Sequence, residues 1–353
     1  MSRGKGPDFD HPLFNALVPL SWLYAAGLKV YLAPYKIGLR KQHKLPCRVV
    51  SVGNLTFGGT GKSPTVRALC SKLMERGVRP AVLSRGHGGR LSNVGAIVSD
   101  GTKRLLDAVD CGDEPALLAD SLPGVPVAIG KDRKKAGWML IEQFNPDLIM
   151  LDDGMQYWQL HRDFEIVLMD AQRPFGSGKV LPAGNLREPV SGLSRADAVV
   201  ITGMEVFDYD KRWDSPTVLS KLPDGVEVFQ ARRQPVAVID CATNERKPIS
   251  VLNGLPVVAV SGIANPMSFE TMLARCGADI RESVRFGDHC AYSTVEVDIV
   301  RRAIAETKAE VVITTVKDAV KLRLSNMYVL DIELNIEDVD RLLELVVRSE
   351  VAG

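Results

Sequence analysis

The residues whose types and spacing best suit chemistry lie in Ser51–Pro64, SVGNLTFGGTGKSP. An apolar run, Arg48 to Val52, reads as a buried strand, a glycine-rich turn follows, and Gly61-Lys62-Ser63 opens a helix expected over Pro64–Glu75. That layout holds phosphate. Thr56, Gly58, Gly59, Thr60 and Gly61 can turn backbone N–H groups onto an anion, the helix N-terminus adds its dipole, and Lys62 adds a mobile positive charge. The Ser63 hydroxyl falls where a Mg2+ ligand is needed. One letter departs from the usual pattern, since Thr56 occupies the first glycine position. A second signal is Asp147-Leu-Ile-Met-Leu-Asp152-Asp153-Gly154, an apolar strand ending in paired acids. A strand-end carboxylate beside such a loop can hold the cation that accompanies the phosphates.

The elements that position these groups alternate. Strands are expected at 81–84, 96–99, 126–129, 147–151, 164–170 and 198–202, with helical stretches between them. Such alternation predicts a mostly parallel sheet with helices on both faces, and ligands then bind at the carboxyl ends of strands. Ser51–Ser63, the basic loop Ser84–Arg90, Asp152–Asp153 and Asp170 all fall at such ends. Gly112-Asp113-Glu114-Pro115 starts a helix, where acids are common for dipole reasons, so Asp113 reads as a cap or a catalyst. The charge run Lys131 to Lys135 reads as a solvated face. Two extended runs, 226–232 and 236–241, precede a second α/β unit with strands at 257–261 and 311–315 and helices at 266–276, 294–307 and 336–347. The expected organisation is therefore an N-terminal helix over 1–36, a phosphate-loop domain over 37–225, a strand-rich linker over 226–250 and a smaller α/β domain over 251–353. His289, the one histidine of that last domain, reads by spacing alone as structural or functional.

Composition limits the classes. The 353 residues are 46% hydrophobic and 25% charged, enough for a full core and more than one domain. A net charge of +1 gives no indication of a nucleic-acid partner. Six cysteines show no C-x-x-C pair or metal-type spacing and read as reduced thiols of a cytosolic compartment. Nothing in the sequence calls for an obligate protein partner.

From Leu13 to Tyr35 the chain is apolar apart from Asn15, Ser21 and Lys29, which fall within an arc of about 120° on a helix. Trp22, Tyr24, Tyr31 and Tyr35 suit a lipid–water boundary, and Lys36, Arg40, Lys41, Lys44 and Arg48 follow with no intervening acid. An interfacial or partly inserted helix is one reading, and a helix packed on the first domain is the other.

Taken together, Gly53-Asn54-Leu55-Thr56-x-Gly58-Gly59-x-Gly61-Lys62, Ser84-Arg85-Gly86-x-Gly88-Gly89, Gly112-Asp113-Glu114-Pro115, Asp152-Asp153-Gly154-x-Gln156, Leu181-Pro182-Ala183-Gly184, Leu186-Arg187-Glu188-Pro189, Asp288-His289 and Lys317-Asp318 resemble the tetraacyldisaccharide 4'-kinase family of lipid A biosynthesis. The matches run in order from the apolar N-terminus to about residue 321, and that family also has threonine at the position of Thr56. The resemblance implies a P-loop NTPase-like α/β fold with a second, smaller α/β domain and a membrane-associated N-terminal helix. It implies ATP-dependent phosphorylation of the 4'-hydroxyl of a lipid-linked glucosamine disaccharide at the cytoplasmic face of a bacterial inner membrane. By that resemblance Asp113 is the base on the acceptor hydroxyl and His289 its partner. Thr56 and Gly58 to Ser63 hold the nucleotide, with Lys62 also catalytic, and Ser63, Asp152 and Asp153 surround Mg2+. His87, Arg133, Gln156, Arg187 and Glu188 contact substrate, phosphate or metal. His87 stands where the family usually has tyrosine, and Ser63 where threonine is commoner. A kinase of a soluble sugar or nucleotide is one alternative. A membrane-associated nucleotide switch is another, weakened because no N-K-x-D guanine-reading motif is present.

Overall fold

The structure is a computed structural model, and it describes residues 9, 11–206, 213–263, 265–287 and 290–348. His289 and Asp288 lie outside the described residues. The chain forms two compact units, one from Phe9–Thr202, Trp213–Ala231 and the segment from Ile336 onward, the other from Arg232–Asn335 with residues 203–206.

In the first unit a short 3-10 segment, Pro12–Leu17, leads into α1 (Val18–Lys36). Pro19 is accommodated in the first turn of α1, where its missing N–H has no intrahelical partner to lose. Alternation then runs β1 (Arg48–Asn54), α2 (Lys62–Glu75), β2 (Pro80–Ser84), β3 (Ala96–Asp100), α3 (Ala108–Cys111), α4 (Asp113–Ser121), β4 (Pro126–Ile129), α5 (Arg133–Phe144), β5 (Leu148–Asp152), β6 (Phe164–Asp170) and β7 (Ala198–Thr202). A short α6 (Pro216–Leu219) precedes β8 (Glu227–Asp240). The strand order is β8-β7-β6-β1-β5-β2-β4-β3, parallel throughout except for the edge strand β3.

The sequence explains the placement. β1 and β5 are near-continuous apolar runs because both faces of a central parallel strand are covered. α2 buries Val66, Leu69, Cys70 and Leu73, a helical-period stripe, against the strands beneath it. Val49, Leu83, Ile149, Leu151 and Leu140 gather in the core under the loops. The strand-order change around β1 puts the glycine turn after β1 beside the acidic end of β5, with Val52 paired to Asp152.

The second unit has β9 (Arg246–Lys247), β10 (Pro256–Ser261), α7 (Pro266–Arg275), β11 (Asp279–Arg285), α8 (Thr294–Thr307), β12 (Val311–Thr315), α9 (Val316–Ala319) and β13 (Met327–Ile336); α10 (Val339–Val347) returns to the first. β11, β10, β12 and β13 are parallel neighbours in that order. Two strands here escape periodicity. β11 reads DIRESVR, because as an edge strand it keeps charges exposed, and β13 carries Asp331 and Glu333 among its apolar residues. The two extended runs expected around residue 234 are one continuous strand, β8, through Pro235. The six cysteines form no disulfide in this structure.

α10 packs on α2 within the first unit. Arg48 Nε donates to the Val346 carbonyl at 2.6 Å, and Arg76 pairs with Asp340.

Candidate active site

The site lies around the carboxyl ends of β1 and β5. The glycine turn runs from Asn54 to Gly61, which caps α2. Gly53 is required at the end of β1: a Cβ there would sit 2.4 Å from the Cβ of Met155, so only glycine lets the Asp152–Gln156 turn close onto the strand. Asn54 supports the loop from inside. Its Nδ2 donates to the Thr56 carbonyl at 2.8 Å, and its Oδ1 accepts from Lys62 Nζ at 3.2 Å. Thr56 and Thr60 are buried with the loop, and Thr60 Oγ1 has no hydrogen-bond partner among the described residues.

The two acids predicted as a pair divide their work. Asp152 is 2% exposed, and its Oδ2 accepts from Ser63 Oγ at 3.3 Å. Its Oδ1 is buried with no hydrogen-bond partner among the described residues. Burial, then the charges of Glu114 and Asp153, push its carboxyl up to about 7, against the pull of Lys62 and the Ser63 hydroxyl. Asp153 turns away, with φ at 60°. Both its oxygens accept from Arg187 Nη1, at 2.7 and 2.8 Å, and Lys62 Nζ lies 3.8 Å from Oδ1. Burial opposes its ionisation, yet Lys62 and Arg187 hold its pKa below the ordinary carboxylate value.

A half-buried serine hydroxyl and a buried carboxylate with one orphan oxygen are hard donors that fit Mg2+. Among the described residues no group of three or more His, Cys, Asp or Glu side chains gathers for an all-protein metal cage.

Around Asp153 the remaining predicted residues form one network. Gln156 Nε2 donates to the Asn54 carbonyl and to Glu188 Oε1, each at 2.9 Å, and its Oε1 accepts from Arg187 Nη1 at 3.2 Å. Glu188 Oε1 also accepts from Arg195 Nη2 at 2.8 Å. The Arg187 guanidinium lies 4.8 Å over the Phe57 ring. Arg195, and the Trp158 ring it covers at 4.7 Å, were missed by the sequence reading, which had no local signal linking them to the loop.

Arg133 corrects the expectation of a wholly solvated charge run. Lys131, Asp132 and Lys135 are exposed, but Arg133 is only 4% exposed, lies 5.2 Å over the Tyr157 ring and donates to the Asp153 carbonyl at 3.4 Å. Its Nε has no partner among the described residues, and burial lowers its pKa against the attraction of Asp153. His87 is exposed. Asp170 closes its own turn by accepting from the Gln172 and Arg173 N–H groups.

Asp113 is the first residue of α4 and half-buried. The adjacent Glu114 is close enough to Asp152 for its charge to raise that carboxyl's pKa, so the start of α4 lies near Asp152. Gly112, at φ 95°, launches the helix against the basic loop, and a Cβ there would meet the His87 carbonyl at 2.5 Å. Gly112→Ala is therefore expected to cost about 1–3 kcal/mol and to displace Asp113. Denaturant unfolding together with turnover checks this; an unshifted unfolding midpoint would contradict it.

Strand, glycine turn, Lys62, Ser63 and a buried strand-end Asp152 define a P-loop protein of the nucleotide-using class. Comparison with known proteins narrows the class. The family described as tetraacyldisaccharide-1-P 4'-kinase matches residues 13–349, and the chain belongs to it. It is similar to the tetraacyldisaccharide 4'-kinase of Geobacter metallireducens, with 41% identity over 334 residues, 93% of this chain and 96% of that protein. Its likeness to the Geobacter sulfurreducens enzyme of the same name is 43% over 300 residues, 85% of this chain and 82% of that protein. A crystal structure of LpxK from Aquifex aeolicus in complex with ATP is 33% identical with a TM-score of 0.76, covering 95% of this chain and 98% of that one.

Proposed function

We propose that the chain transfers the γ-phosphoryl group of ATP to the 4'-hydroxyl of a tetraacyl glucosamine disaccharide 1-phosphate, a step in lipid A and lipopolysaccharide synthesis. Family membership over residues 13–349 carries this reading, and the Ser63–Asp152 arrangement beside a phosphate loop supplies its chemistry. The backbone of Thr56 and Gly58 to Ser63 would cradle the phosphates, and Lys62 would follow the charge as it moves during transfer. Ser63 and Asp152 would hold Mg2+, with Asp153 acting from beyond them. The cation, when bound, neutralises charge on the phosphates.

Asp113 would take the proton from the acceptor hydroxyl, a task suited to a half-buried carboxylate. His289 would assist it, by family resemblance. Arg133 and Arg187 would be the cations for substrate or phosphate, Gln156 holds Arg187 and the turn, Glu188 holds Gln156 and Arg195, and His87 would meet the lipid head group. A kinase of a soluble sugar no longer has a feature in its favour, and neither has a nucleotide switch.

α1 supplies the route to a lipid acceptor. Pro12–Lys36 is long and apolar enough by length and composition to cross a membrane, and Trp22, Leu23 and Val30 are about 70% exposed. We place this helix on the cytoplasmic face of the inner membrane. Deleting residues 1–36 is expected to release the protein from vesicles in a flotation assay; persistent flotation would sink the anchor reading. The function itself is tested with γ-labelled ATP and a panel of acceptors. Label is expected on the lipid disaccharide and absent from soluble sugars and nucleotides, and the reverse would reject the proposal.

A further inference from the structure

Two of the three polar residues of the N-terminal helical stretch, Asn15 and Ser21, are engaged by the segment around residue 180. Ser21 is 3% exposed; its hydroxyl donates to the Val180 carbonyl at 2.8 Å and accepts from the Ala183 N–H at 3.0 Å. Asn15 Oδ1 accepts from Lys179 Nζ. One turn beyond Ser21, the Tyr24 hydroxyl donates to the Arg187 carbonyl at 2.7 Å. Burial, then the Glu188 charge, raises the Tyr24 pKa, in keeping with its place beside the site network. Asn15, Tyr24 and Lys29 are exposed, and Ser21 is the buried one of the group.

The segment these side chains hold is fastened at its other edge to the phosphate loop. The Phe57 N–H donates to the Asn185 carbonyl and the Arg187 N–H to the Leu55 carbonyl, each at 2.7 Å. Thr56 and Leu186 form an isolated bridge. Residues 179–187 therefore lie between α1 and the loop. The same segment aims Arg187 at Asp153. Further along, Tyr35 of α1 lies 6.1 Å from the Trp158 ring, which carries Arg195, the partner of Glu188.

We infer that α1 is a positioning element of the phosphoryl-transfer site as well as its lipid-facing part: Ser21 and Tyr24 fix residues 180–187, and through them Arg187 and the phosphate loop. The inference rests on the functional reading above and adds a regulatory consequence. One face of α1 meets a lipid surface and the other holds the site, so seating the helix and setting the loop are one event. An anchor alone would need no hydroxyls directed at backbone groups beside the loop. A buried hydroxyl such as that of Ser21 is costly in an apolar helix unless partnered, and its partners lie in that segment, as does the carbonyl that the more exposed Tyr24 hydroxyl reaches.

The test uses full-length protein in mixed micelles of detergent and the lipid acceptor, with Ser21→Ala, Tyr24→Phe and the double variant. The double variant is expected to lose kcat by about tenfold, the scale set by small misplacements of catalytic groups, with vesicle flotation unchanged. Ser21→Thr, which keeps the hydroxyl, is expected to restore turnover. In an Arg187→Ala background the double substitution is expected to cost nothing further, because the effect passes through Arg187. A double variant with unchanged kcat, or the same loss with Arg187 absent, would overturn the inference. Amide hydrogen exchange gives an arm that needs no substrate: exchange across 180–187 and 55–57 is expected to quicken in the double variant. Unchanged exchange there would also overturn it. Wild-type protein that labels no lipid would defeat the functional reading instead, and the exchange result would still decide the positioning.

Discussion

Asp113→Ala is expected to lower kcat by about 10²–10⁴, the range for loss of a general base, while ATP still binds. The expectation follows from where the side chain stands. Asp113 is the first residue of α4, carried on a turn that only glycine permits at residue 112, and its neighbour Glu114 is felt by Asp152. A carboxylate so fixed can accept a hydroxyl proton late in a loose phosphoryl-transfer step without touching the nucleotide. Asp113→Asn keeps the volume and should lose the same factor, which separates proton transfer from packing. Phosphate transfer assays and equilibrium nucleotide binding on the same preparations check this. Near-normal turnover in either variant would remove Asp113 as the base.

The second large effect has opposite signs in two measurements. Asp152→Asn should reduce Mg2+-dependent turnover by about 100-fold or more, because on the proposed assignment the cation would lose a buried anionic ligand. The same change should stabilise the metal-free protein above neutral pH. Asp152 ionises at about 7 in the fold, against about 4 in an unfolded chain. Between those values the folded state keeps a proton that the unfolded chain has released, so metal-free stability falls as pH rises through the window. Above about pH 7 the whole penalty is present, on the order of 2–4 kcal/mol; below about pH 4 it vanishes. Denaturant melts with chelator at pH 8 and pH 4 should therefore show a gain for Asp152→Asn only at pH 8. Equal effects at both values would mean the carboxyl carries no such penalty. By the same linkage, apparent Mg2+ affinity should weaken as pH drops below about 7.

The nucleotide half of the site was legible in the sequence because its parts are local. A strand, a glycine turn, Lys62 and Ser63 are contiguous, and the acidic end of β5 announces itself by an apolar run that stops at Asp152. The sheet was legible for the same reason, since buried parallel strands are short apolar runs. What periodicity missed depends on distant partners. β11 and β13 carry charges that their edge or half-exposed positions allow. Arg133 sits in a run of exposed charges, and only the fold shows it buried over Tyr157. Asp152 and Asp153 look equivalent in sequence, yet a positive φ at Asp153 sends one toward Ser63 and the other toward Arg187. The polar stripe of the N-terminal helix could be seen as an arc but not explained, because its partners are about 160 residues away. The roles proposed for Asp113 and His289 rest on the resemblance, since isolated acids and histidines carry no spacing that marks them.

In the proposed reaction this site places phosphate on one hydroxyl of a lipid-borne disaccharide. The direct measurement is phosphorus–proton correlation by NMR on the product made from ATP and the tetraacyl disaccharide 1-phosphate. One new phosphorus signal coupled to the H4' proton of the distal glucosamine is expected, absent when Asp113→Ala replaces the wild-type protein. A phosphorus coupled to any other sugar proton, or no new phosphorus signal on the lipid, would contradict it.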